Sequence, residues 1–109
     1  MATHMPYTAR TSSGDVFEIS FPLHAETGSA MRVSQLLTAI LETLDREIAV
    51  LGETSNGDVL QALSMASAIR AAMIHAPLPV AQRLAAELQA TALRAMENAE
   101  RQAPQAGHA

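Results

Sequence analysis

Residues 30–51, AMRVSQLLTAILETLDREIAVL, decide the fold. Val33, Leu37, Ile40, Leu44, Ile48 and Leu51 recur every three or four positions, the spacing that stacks side chains along one face of an α-helix. Leu36, Leu41 and Val50 widen that face to about half the circumference, more than a helix on the surface of a small monomer needs. Ser29 in front is a natural N-cap, because its hydroxyl can accept from the first free backbone N–H groups. Gly52 behind is a natural end, since glycine alone takes a positive φ without cost. A first helix over 30–51 follows.

Toward the C-terminus, Ser55 with Asp58 forms a variant of the capping box and starts a second helix, expected over 57–76. Its face is Val59, Leu63, Ala66, Ile69, Met73 and Ile74. Pro77-Leu78-Pro79 breaks the chain, and Pro79 suits the first turn of a third helix, expected over 79–101. Val80, Leu84, Leu88 and Ala95 carry that helix's stripe, with Ala81, Ala85, Ala92, Ala99 and Met96 as a smooth shoulder. Short breaks between helices favour antiparallel neighbours.

Toward the N-terminus, Val16 to Phe21 alternates, with Phe17, Ile19 and Phe21 on one side and Glu18 and Ser20 on the other. Ser12-Ser13-Gly14-Asp15 is turn chemistry, which makes residues 7–23 a β-hairpin ended by Pro22. The expected fold class is therefore mainly α: a short N-terminal β-hairpin, then a three-helix antiparallel bundle completed by oligomerisation. Residues 5–101 form a single domain in this reading. Residues 1–4 read as an expression-tag remnant, because His4-Met5 is what a common cloning site encodes, and residues 102–109 read as a flexible tail.

Composition narrows the function. With 109 residues, a net charge of −4 and a pI near 5.4, the chain lacks the clustered positive field that nucleic acid or an anionic membrane surface requires. All seven basic side chains are arginine, which a GC-rich genome explains. The absence of cysteine excludes a disulfide scaffold, a thiol nucleophile and thiolate metal sites. No apolar run approaches the roughly 20 residues of a membrane span, and no secretory signal opens the chain. A cytoplasmic protein is the expectation.

The search for chemistry finds little. His4, His24, His75 and His108 are never three or four residues apart, so no helical metal-ligand spacing exists. No metal, cofactor or catalytic residue is assigned. Thr54-Ser55-Asn56-Gly57-Asp58 has one glycine and no lysine, so helix capping accounts for it better than phosphate binding.

Two charged residues break the apolar pattern. Arg70 falls in the middle of the second helix's face. A helix hairpin about Pro77 would bring Glu87 level with it, making Arg70 and Glu87 a candidate buried pair. Against this stands an Arg70 whose methylenes carry its charge to solvent. Glu47 sits beside Leu36, Ile40 and Val50 and could meet an arginine of a second subunit. The expectation is a non-enzymatic interaction module forming a homo-oligomer, a dimer first. Leu36, Ile40, Leu44 and Glu47 would lie near a two-fold axis, and Leu93 of the third helix would add apolar surface. The alternative is a small acidic chaperone or adaptor for a partner protein. A small-ligand-binding protein or enzyme subunit with a pocket between helices comes third.

Overall fold

The computed structural model describes residues 3–102. The order of elements is β1 (Thr3–Arg10), β2 (Val16–Leu23), α1 (Ala30–Leu51), α2 (Asn56–Ala72), α3 (Leu78–Glu97) and β3 (Glu100–Gln102). A short antiparallel hairpin followed by three helices is thus present, and 59% of the described residues are helical. A helix-dominated circular dichroism spectrum is the corresponding expectation in solution.

The hairpin starts earlier than expected, at Thr3, and ends at Leu23 as expected. β1 begins at Thr3, opposite Leu23, so Thr3 and His4 belong to the sheet, and Met1 and Ala2 lie outside the described residues. Pro22 does not stop β2, which runs one residue further. Proline has no N–H to give, yet Pro6 (opposite Ser20) and Pro22 (opposite His4) both fall on even-numbered pairs. Antiparallel pairs alternate between hydrogen-bonded and non-bonded, so both prolines can occupy the second kind without breaking the ladder. The odd-numbered residues form the inner face, where Met5 and Ile19 are buried and Tyr7, Phe17 and Phe21 are half-buried. Glu18 and Ser20 are exposed on the other face.

Caps set the helix ends. Ser29 Oγ accepts from Arg32 N at 3.1 Å, and the N–H of Gly52, at φ +89°, donates to Ile48 O at 2.9 Å. Ser55 Oγ accepts from Asp58 N at 3.1 Å. α2 stops at Ala72, four residues short of the expected end, and Met73–Ala76 fold as a turn. The ring of Pro77 would collide with the Met73 carbonyl in a continuing helix. α3 stops at Glu97 instead of Arg101. Residues 100–102 leave the helix and pair with β2, giving a sheet in the order β1-β2-β3. The free edge of β2 offers these residues backbone partners that an extra helical turn in solvent would not.

Arg101 fastens β3. Its Nη2 donates to Asp15 Oδ2 at 2.9 Å, and its guanidinium lies 5.2 Å from the centroid of the Phe17 ring. Asp15 is largely shielded, whereas Arg101 is mostly exposed, so solvent weakens the pair. Arg101→Ala is expected to cost about 1 kcal/mol and to release β3, raising amide exchange at residues 16–18. Hydrogen exchange with a thermal melt checks this, and unchanged protection would show that β3 holds without the arginine.

The helices do not close into the expected three-helix bundle within the chain. α2 packs on α3, and α3 lies against β2. α1 instead meets β1, where the Tyr7 hydroxyl and Thr38 Oγ1 are hydrogen-bonded at 2.8 Å. Not one residue of α1 is buried. Among the described residues the buried apolar side chains are Met5, Ile19, Ala71, Ala81 and Ala95, of which three are alanines. The shape follows: 55 × 36 × 22 Å with a radius of gyration of 15.7 Å, against about 13 Å for a compact domain of this length. The accessible surface is 8674 Å², against roughly 5,800 Å² for a folded monomer of 11.5 kDa.

Candidate interaction surface

α1 has two distinct sides. Ser34, Leu37, Thr38 and Ile48 are half-buried and fall together on the side turned to the hairpin. About a quarter turn around the helix, Val33, Leu36, Ile40, Glu47 and Leu51 form a second stripe, all of them exposed. Leu36 is 55% and Ile40 49% accessible, while Leu44, bordering both sides, is half-buried. The interface candidates Leu36, Ile40, Leu44 and Glu47 thus share one edge of one helix. Leu93 is 60% exposed on α3, on a different helix and away from the buried Ala81 and Ala95.

α2 carries a comparable stripe. Met65, Ile69 and Met73 are all more than half exposed and fall on the same side as Ala62 and Ala66, roughly opposite the buried Ala71. Arg70 borders this stripe. The candidate buried pair of Arg70 with Glu87 is not formed: among the described residues both are exposed, no charged side chain is buried, and the single ion pair is Arg101–Asp15. With α1 lying by β1, nothing covers α2 at Arg70, so the solvated arrangement prevails. Glu87→Ala is expected to shift the melting temperature by less than about 2 °C, within the usual range for an exposed substitution. A fall several times larger would mean that Glu87 is buried in the solution assembly.

Chemistry-bearing groups are scattered. His4 lies on exposed β1, and His75 lies beyond the end of α2 instead of in its last turn. His24 Nδ1 accepts from Glu26 N at 3.1 Å, a turn-closing bond that occupies the ring nitrogen. His108 falls outside the described residues. Among the described residues, no three histidines or carboxylates come together as a metal site would require. Two open depressions stand out among the described residues. One lies between Tyr7, Arg10, Thr38, Leu41, Glu42 and Asp45; the other lies where Thr3 and Leu23 meet Ala30. Neither is walled by two helices. No helix of the described residues is long and apolar enough to cross a membrane.

Sequence reasoning missed the Tyr7–Thr38 bond and the Asp15–Arg101–Phe17 cluster. Tyr7 as the only tyrosine on an otherwise apolar face was a usable signal, because a half-buried phenol normally finds a partner. Arg101 stands next to a Gln/Ala-rich stretch, and nothing in its spacing points 86 residues back to Asp15. Comparison of the chain with protein-family models, with curated proteins and with solved structures returned no match.

Proposed function

We propose that this chain is a non-enzymatic protein-interaction module that self-associates through its apolar helix faces. One observation carries the reading: the chain exposes about 2,900 Å² more surface than a folded monomer of its mass. Counting the nine residues outside the described range at their full unfolded area accounts for about 1,200 Å² of it. What is left exceeds the roughly 800 Å² that each partner contributes to a standard interface. Leu36, Ile40, Leu60, Met65, Ile69, Met73 and Leu93 are among the exposed large apolar side chains.

Covering such side chains is worth about 25 cal/mol per Å², so several hundred Å² outweigh part of the cost of association. A second copy is the first partner to consider, because closed two-fold dimers are the commonest assemblies. Sedimentation equilibrium at micromolar concentration tests the proposal. A dimer or larger species supports it. A well-folded monomer throughout that range overturns it and leaves the same faces to a different protein.

A further inference from the structure

One groove of the fold has a strand edge for one wall and a helix for the other. It runs between residues 7–10 of β1 and Thr38, Leu41, Glu42 and Asp45 of α1, and β2 takes no part in its lining. The α1 residues follow one another at spacings of three, one and three, so they share one side of the helix. The walls match in length, since Tyr7 to Arg10 and Thr38 to Asp45 each extend about 10 Å. The groove holds about 220 Å³, less than the roughly 300 Å³ at which small-molecule pockets begin.

The strand wall has unused backbone groups. Thr11 N donates to Asp15 O at 2.9 Å, which sets the phase of the hairpin. Odd-numbered residues of β1 exchange bonds with β2, and even-numbered ones turn theirs outward. Thr8 and Arg10 therefore each hold an N–H and a C=O toward an edge with no strand beyond it among the described residues. Pro6 offers a C=O alone.

The helix wall is acidic. Glu42 and Asp45 are exposed and take part in no ion pair among the described residues. Arg46, next in sequence, donates instead to Thr43 Oγ1 at 3.2 Å. Arg10 is the one basic residue of the lining. As an even-numbered residue it falls on the outer face of the sheet, whereas α1 meets the inner face through Tyr7.

We propose that this groove binds an extended peptide segment of a partner protein, which adds a short strand at Thr8–Arg10 and sets a lysine or arginine against Glu42 and Asp45. Residues opposite each other in an antiparallel pair share a face, so the peptide residue facing Ala9 turns toward α1. Its methylenes lie along Leu41, 37% exposed, and its charge reaches the two carboxylates. The main-chain bonds supply affinity, and the single side chain between strand and helix supplies choice. Pro6 ends the usable edge, so about three residues pair and a whole strand does not add. The site stands independently of self-association.

Peptide selection on the full chain tests this. A hexapeptide library randomised at every position, acetylated and amidated to remove terminal charge, is panned against immobilised protein, and recovered peptides are titrated by calorimetry. A lysine or arginine should recur at one position, and its replacement by glutamate should weaken binding about 10-fold. Thr8→Pro should also weaken binding about 10-fold while the circular dichroism stays that of the wild type, because the N–H it removes is one the hairpin does not use. Asp45→Arg, on exposed helix surface, should reject the basic peptides.

A library that yields nothing above a blank support overturns the proposal. Peptides that bind Thr8→Pro and Asp45→Arg as they bind the wild type sit elsewhere and overturn it too, as does recovery of acidic peptides, which would point to Arg10. Should Thr8→Pro unfold the chain, N-methylation of the peptide residues on either side of the basic one replaces it. A loss of about 10-fold is again expected, and unchanged binding would exclude strand addition.

Discussion

Under the proposed self-association, replacing Ile40 by glutamate should leave a folded monomer, weakening association by about 1,000-fold or more. The side chain is about half exposed in the single chain, so an added carboxylate there can stay hydrated and the monomer tolerates it. In an assembly that covers the α1 stripe, the same carboxylate is buried without a partner, at a cost of several kcal/mol per site. A two-fold doubles that cost. Sedimentation equilibrium gives the mass, and circular dichroism shows whether the helices persist. Leu44→Glu should act in the same direction but also lower monomer stability, because Leu44 is half-buried already. Val50→Glu is the control. It lies near the end of α1, is 82% exposed and sits off the centre of the stripe, so it should disturb association far less. An Ile40→Glu variant that assembles like the wild type would remove α1 from the interface.

The second large effect concerns folding. Met5 and Ile19 are the two large side chains in the buried core, and the rest of that core is alanine. Ile19 is 6% exposed and stands opposite Tyr7 in the hairpin. Ile19→Ala is therefore expected to cost about 3 kcal/mol, through lost transfer energy and the cavity left behind. For a domain this size that is about 15 °C in melting temperature. Ser20→Ala, one residue away on the exposed face, should stay within about 0.5 kcal/mol. Melts must be compared at one protein concentration, because association raises the apparent stability of whatever state it selects. An Ile19→Ala loss below about 1 kcal/mol would place the stabilising burial between chains instead of under the sheet.

Local signals in the sequence determined most element boundaries, and global ones did not. α1 is legible at both ends because Ser29 and Gly52 act through bonds only three or four residues long. The inner face of β2 is legible for the same reason: alternation is a property of neighbours. The end of α3 was misjudged because periodicity continues through Ala99, whereas the chain's turn at Asn98 depends on a partner strand far away in sequence. The three-helix bundle was misjudged for a related reason. Wide apolar faces on all three helices show that each must be covered, but they carry no address for the cover. Arg70 illustrates the point: the apolar pattern around it leaves open a buried pair with Glu87 or a solvated side chain, and its exposure follows from where α1 lies. Leu36, Ile40 and Glu47 of α1 fall on one continuous exposed edge.

Pro6 has a consequence beyond local geometry. β1 is an eight-residue strand at the border of the sheet, with β2 on one side and no strand on the other. Such a border is a template on which further chains can stack into fibrils. On the even-numbered side of β1, turned away from β2, one residue of four is a proline and supplies no N–H, while Arg10 adds a charge at the end. The same chain thus exposes apolar helix faces and a blunted strand edge, so stacking of further chains onto β1 is disfavoured.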